Sequence, residues 1–198
     1  MGTRAGILSL ILLAAAVGAR ADLWSDSYRL EAEARYGAAA ALFDPLVKHQ
    51  PTDEFALLRR AWLHYLGGNY NQSQSDYRRA LQLNPQSLDA RIGLCLPLLA
   101  QSRWKEAAIA ANEALEVAPW NYYAHLRLLV AEEGLKQWQT LLEHAETLHR
   151  RYPSDATALV YQARAHLWLG NRKAAAESYR QVLQRIPGHI EASQYLAR

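Results

Sequence analysis

The sequence predicts an all-α chain of about five helical hairpins stacked as a solenoid, preceded by an export segment and closed by a short helix. Three observations predict it. Prolines stand at Pro51, Pro85, Pro119, Pro153 and Pro187, each 34 residues after the one before. A second break falls near the middle of every interval, and the apolar residues between breaks keep helical spacing.

Residues 1–21 carry an address rather than a structural element. Met1 to Arg4 is a short basic start, Ala5 to Ala19 is uncharged and rich in Leu and Ile, and Ala19-Arg20-Ala21 flanks a cleavage position with small residues. This three-part plan is that of a signal peptide removed before Asp22. The uncharged run is shorter than the ~20 residues that span a bilayer, so a permanent inner-membrane anchor is the alternative reading. No cysteine lies near the cleavage point, which excludes a lipoprotein. Nothing later in the chain is long and apolar enough to cross a membrane. The expected location is outside the cytoplasm, in the periplasm.

Each periodic proline ends a helix, because proline lacks an N–H and clashes with the preceding turn. Thr52, Ser87, Asn121 and Asp155 follow as residues that can cap the next helix. Within each interval Gly37, Gly67-Gly68, Ser102, Gly134 and Gly170-Asn171 interrupt the pattern, giving two helices and a tight turn per unit. The units are approximately 22–53, 54–87, 88–121, 122–155 and 156–189, with a cap at 190–198. Written beneath one another they form columns: Ala39, Ser73, Ala107, Leu141, Ala175; Phe43, Tyr77, Ala111, Ala145, Tyr179; Leu46, Ala80, Ala114, Leu148, Val182. Small side chains there let paired helices approach, and the larger ones fill the space beside them.

These columns resemble the tetratricopeptide repeat, together with Ser27, Ala61, Cys95, Leu129 and Ala163 in the first helix and Tyr36, Tyr70, Trp104 and Trp138 opening the second. The resemblance covers residues 22–187 and implies a right-handed solenoid with a concave inner face. Arg60, Gln162, Arg172 and Pro97 depart from the family pattern. Residues 190–198 should cover the last apolar face as a short cap.

Composition narrows the function. Lys and Arg number 22 against 19 acids; without Arg4 and Arg20 the excess falls to one. The basic residues alternate with acids, leaving no stripe for phosphates, so nucleic acid is not an expected partner. Cys95 stands alone, which excludes an internal disulfide and a cysteine metal cluster. Glu143, His144 and His149 form the best local metal candidate, but residues five apart do not share a helical face. Glu31 and Glu133, the acids whose columns face inward in the family, lie three repeats apart, of order 30 Å at ~10 Å between neighbouring helices. No phosphate loop, nucleophile elbow or His-Glu helix motif is present. The sequence therefore predicts no catalytic residue, metal or cofactor.

The inner face is expected to bind. Phe55, Leu58, Trp62 and Tyr65 share one face of a helix, while Leu57, Ala61 and His64 share another. The resemblance places the first set in the concave groove, with Trp24, Tyr28, Tyr123, Leu126, Tyr161 and Trp168, and with Arg59, Arg127 and Arg164 among them. An aromatic surface with a few arginines has the composition of a protein-binding patch. Its expected occupant is an apolar helical or extended peptide segment. Mutual covering of these side chains, or a homodimer, is the competing reading.

Overall fold

The computed structural model describes residues 22–197. The export segment expected at residues 1–21 lies outside them, as does Arg198. Every regular element among the described residues is a helix, and the fold is the helical-hairpin arrangement expected of the repeats. The described residues divide into two compact units, one up to Pro97 and one from Leu98 onward.

In the first unit α1 occupies residues 22–32, α2 is Tyr36–Ala41, α3 is Asp44–His49, α4 is Glu54–Leu66 and α5 is Tyr70–Leu83. The second helix of the first repeat is thus two short helices. Pro45 explains the break: it sits in the first turn of α3, where its missing N–H is unneeded and its fixed φ suits a helix start. Both pieces pack on α4, which in turn packs on α5. Ala39, Phe43, Ala56, Leu57, Leu63 and Ala80 are sealed between them.

Helix α6, Leu88–Ala100, contains the boundary between the units and continues through Pro97. In the second unit α7 (Trp104–Val117), α8 (Tyr122–Gly134), α9 (Trp138–Arg151), α10 (Ala156–Trp168), α11 (Arg172–Arg185) and α12 (Ile190–Leu196) follow, each packed on the next. Two of its core clusters centre on Leu129, Leu141 and Leu148, and on Leu159, Ala163, Tyr179 and Val182.

The turn inside each repeat is more regular than its sequence. Ala34, Gly68, Ser102, Lys136 and Gly170, again 34 apart, all adopt the left-handed conformation, with φ between 55° and 82°. The N–H of the following residue closes back on a carbonyl five positions earlier: Arg35 on Leu30, Asn69 on His64, Arg103 on Leu98, Gln137 on Glu132, Asn171 on His166. This is a Schellman closure, which satisfies carbonyls left open at a helix end. The breaks expected at Gly37 and Gly134 are therefore displaced. Gly37 lies inside α2, and Gly134 ends α8 two residues before the left-handed position.

Gly134 is small for a different reason: a Cβ there would sit 2.4 Å from the Trp104 ring. One repeat later Trp168 occupies that column, and its ring stacks face to face on Trp138 with centroids 4.9 Å apart. The turns between repeats keep the same period. Asp53, Ser87, Asn121, Asp155 and His189 accept from N–H groups two or three residues ahead. Asp53, not Thr52, is thus the cap of α4.

Candidate functional site

In the first unit Trp24, Tyr28, Phe55, Leu58, Arg59 and Trp62 surround one shallow recess of about 290 Å³, with Tyr77 and Asp89 completing its wall. Six residues from the expected groove are therefore neighbours in space. Their spacing explains why: Tyr28 follows Trp24 by one helical turn on α1, and Phe55, Leu58 and Trp62 follow one stripe of α4. Tyr28 is 57% exposed and Phe55 70%, while Trp24, Leu58 and Trp62 are half-buried against the core beneath. Tyr65 lies just outside the recess, its ring between Trp62 at 5.6 Å and Tyr70 at 6.1 Å.

Arg59 is placed differently from an accessible anchor. It is 8% exposed. One terminal nitrogen pairs with Glu31 Oε2, Nε donates to Ser27 Oγ at 3.1 Å, and the guanidinium carbon lies 3.9 Å from the Tyr28 ring centroid. Nη2 is sealed from solvent without a protein acceptor. Glu31 uses its second oxygen to accept from Trp62 Nε1 at 2.8 Å. The inward-facing acid thus neutralises Arg59 and fixes the indole that forms the recess wall. Trp62 is both wall and support.

In the second unit Tyr161 and Arg164 line a smaller recess of about 190 Å³ with Val160, Ile186 and His189. Arg164 bridges two acids: Nη1 reaches Glu133 Oε2 at 3.2 Å, and Nη2 reaches Glu191 Oε2 at 2.6 Å. Tyr179 donates to the other Glu191 oxygen at 2.6 Å. The bond from Arg164 holds the Glu191 carboxyl below the usual carboxylate range, against the opposing effect of burial. Burial first, and then Glu133, raises the Tyr161 phenol. Tyr123 is 60% exposed, whereas Leu126 and Tyr161 pack against the core. Arg127 is half-buried, its Nε without an acceptor. Trp168, 66% exposed, is committed on one face to Trp138.

One polar constellation is not legible from spacing. His125 Nδ1 and His144 Nε2 lie 2.8 Å apart, His144 Nδ1 is 2.9 Å from Glu132 Oε2, and His125 Nε2 is 3.1 Å from the Pro119 carbonyl. These residues come from the turn before α8, from α8 itself and from α9. Spacing relates His144 only to Glu143 and His149 on its own helix; its partners are across the hairpin. The Pro119 carbonyl can only accept, so His125 Nε2 donates to it, which leaves His125 Nδ1 to accept from His144 Nε2. A further proton on His125 would set N–H against N–H. Burial and the neighbouring His144 lower the His125 pKa, outweighing the Pro119 carbonyl and Glu132.

The departures from the repeat pattern include a partnered one. Arg60 forms a bidentate bond with Asp76 at 2.7 and 2.8 Å and reaches Asp44 at 2.9 Å. A fork-shaped guanidinium thus replaces the apolar contact expected in that column.

Models of the tetratricopeptide repeat match residues 54–87 and 131–190. No curated protein matches the chain. Among solved structures, MamA residues 41 to the end from Desulfovibrio magneticus RS-1 is 18% identical, with a TM-score of 0.76 over 85% of this chain and 95% of that one. YrrB, described as a TPR protein with an unusual peptide-binding site, is 16% identical, with a TM-score of 0.73 over 87% and 89%. TTC0263, a thermophilic TPR protein of Thermus thermophilus, is 19% identical, with a TM-score of 0.66 over 89% and 96%. At these identities the likeness speaks for the fold. Repeat models matching in both units, on hairpins that keep one 34-residue register of caps and turns, place this chain in the tetratricopeptide-repeat family.

Proposed function

We propose that the chain is a non-catalytic adaptor that holds a protein or peptide segment on the inner faces of its repeats. The exposure of Tyr28 and Phe55 beside a recess walled by Trp24, Leu58 and Trp62 carries this reading. Large aromatic surface left in water is unfavourable by about 25 cal/mol per Å², and a partner that covers it recovers that free energy. The peptide-binding site named for YrrB belongs to that protein and lends the reading support by analogy of fold alone.

The composition of residues 1–21 supports export, and we read the exported chain as an adaptor that assists assembly of an envelope or secretion complex. An uncleaved version would tether the same repeats to the inner membrane. Intact-mass measurement on protein from the producing cell separates the two: a chain beginning at Asp22 supports cleavage, and a full-length chain in a salt-washed membrane pellet supports the tether. The groove is tested by Phe55→Ala, whose side chain is mostly in water. Loss of about 2 kcal/mol of affinity for a captured partner, with an unchanged melt, is the expected result. Equal capture by variant and parent overturns the groove. A homodimer covering the same aromatics would instead show as a Phe55-dependent doubling of mass in light scattering.

A further inference from the structure

We propose that the recess of the first unit takes a basic side chain, arginine or lysine, from a partner segment whose neighbouring residues are apolar. The inference rests on the groove reading above and specifies its occupant. Two charged residues line the recess, Arg59 and Asp89. Arg59 is already neutralised by Glu31 and covered by Tyr28, so it offers no charge at the mouth. Asp89 is exposed in the first turn of α6 and forms no hydrogen bond or ion pair among the described residues. Counting Arg59, Glu31 and Asp89, the recess is left with the Asp89 charge.

Each class of occupant can be weighed against that carboxylate. A purely apolar segment would cover Asp89 and strip its water without replacement, which is unfavourable for any ionised group. The α6 dipole favours an acid at this position, but a first-turn interaction of about 0.3–1 kcal/mol does not replace a lost hydration shell. An acidic segment would meet like charge and find the cation sealed. A basic side chain pairs with Asp89 and lays its apolar stem along Phe55 and Leu58.

The aromatic wall suits the same occupant. Ring faces attract guanidinium and ammonium groups. Among the described residues that contact occurs three times, with Arg59 over Tyr28 at 3.9 Å, Arg151 over Trp120 at 5.3 Å and Arg164 over Tyr161 at 5.5 Å. Tyr28 spends one face on Arg59 and is still 57% exposed.

Selection of a random hexapeptide phage library on the full chain, with Phe55→Ala as the counter-selecting bait, tests the proposal. Peptides recovered in a Phe55-dependent way should carry Arg or Lys beside apolar residues. For a synthetic peptide made from such a sequence, replacing the basic residue by Gln should weaken binding to the parent about tenfold. The same replacement should weaken binding to Asp89→Asn less, by about threefold, because that variant has lost the pairing charge and keeps the ring contacts. An unchanged melt for Asp89→Asn shows that its fold is intact. Phe55-dependent peptides that are acidic or wholly apolar, or an equal Gln effect in parent and Asp89→Asn, overturn the basic occupant and leave the groove standing. Recovery of no Phe55-dependent peptide removes the groove reading itself, and this proposal with it.

Discussion

The Trp62 indole N–H donates to the Glu31 carboxylate at 2.8 Å, joining the inner face of one repeat to that of the repeat before it. The same two columns meet again in the second unit, where Arg164 reaches Glu133, each residue 102 positions after its counterpart. An acid on one inner helix thus receives a donor from the next, and the donor is an indole in one case and a guanidinium in the other. The groove wall is held by bonds between repeats.

Trp62 therefore has two separable contributions. Trp62→Phe keeps most of the packing and removes the N–H, and should lower stability by about 1 kcal/mol. Trp62→Ala also removes a half-buried ring that packs on the core, and should cost about 2–3 kcal/mol. Urea denaturation of the two variants checks the difference; no loss in Trp62→Phe would mean that the bond to Glu31 contributes nothing, and equal losses would mean that the ring's packing contributes nothing.

Glu31→Gln leaves the Arg59 charge buried with its Ser27 contact and without a counter-ion. A loss of about 2–3 kcal/mol is expected, below the range for a fully buried pair because Glu31 is partly solvated. Glu33→Gln, on the exposed side of the same segment, should leave the melt unchanged. Indistinguishable melts for the two variants would show that the ion pair beneath the recess is not needed by the fold.

The left-handed turn positions offer stabilisation. Ala34, Ser102 and Lys136 hold φ values of 55° to 58° that glycine adopts without a Cβ penalty. Ser102→Gly and Lys136→Gly should each raise stability by about 0.5–1 kcal/mol, while Gly68→Ala and Gly170→Ala should lower it by a similar amount. Thermal melts of the four single variants decide the sign. A destabilised Lys136→Gly would place the turn elsewhere.

The histidine chain gives the second unit a pH dependence of defined sign. The folded state lowers the His125 pKa, so it disfavours the protonated ring relative to the unfolded chain. Its contribution is fully present above the ordinary histidine value of about 6.5 and is lost as pH falls through that value to the lowered one. Denaturation midpoints measured from pH 8 to pH 5 should therefore fall more steeply in the parent than in His125→Gln. A variant with the parent's slope would assign the loss to other groups.

The period and the pairing of helices were legible in the sequence because proline, small residues and capping side chains act through local backbone sterics, and these recur every 34 residues whatever the surroundings. The packing columns, from Ala39 and Phe43 to Ala175 and Tyr179, are buried, with Leu46 half-buried where the second helix of the first repeat is split. Spacing along α1 and α4 also brought together Trp24, Tyr28, Phe55, Leu58 and Trp62, because a stripe on one helix is a local property. The exact turn residue was less legible: Schellman closure selects a position in the chain, and Ala34, Ser102 and Lys136 fill it without announcing it. What only the tertiary structure decided were the partners of charged and polar groups. Arg59 and Arg164 read as free anchors until Glu31, Glu133 and Glu191 arrive from neighbouring repeats, and His144 reads as a lone surface ring until His125 and Glu132 meet it across a hairpin. A charge is satisfied by whatever lies within about 3 Å, and which residues those are depends on how the helices pack.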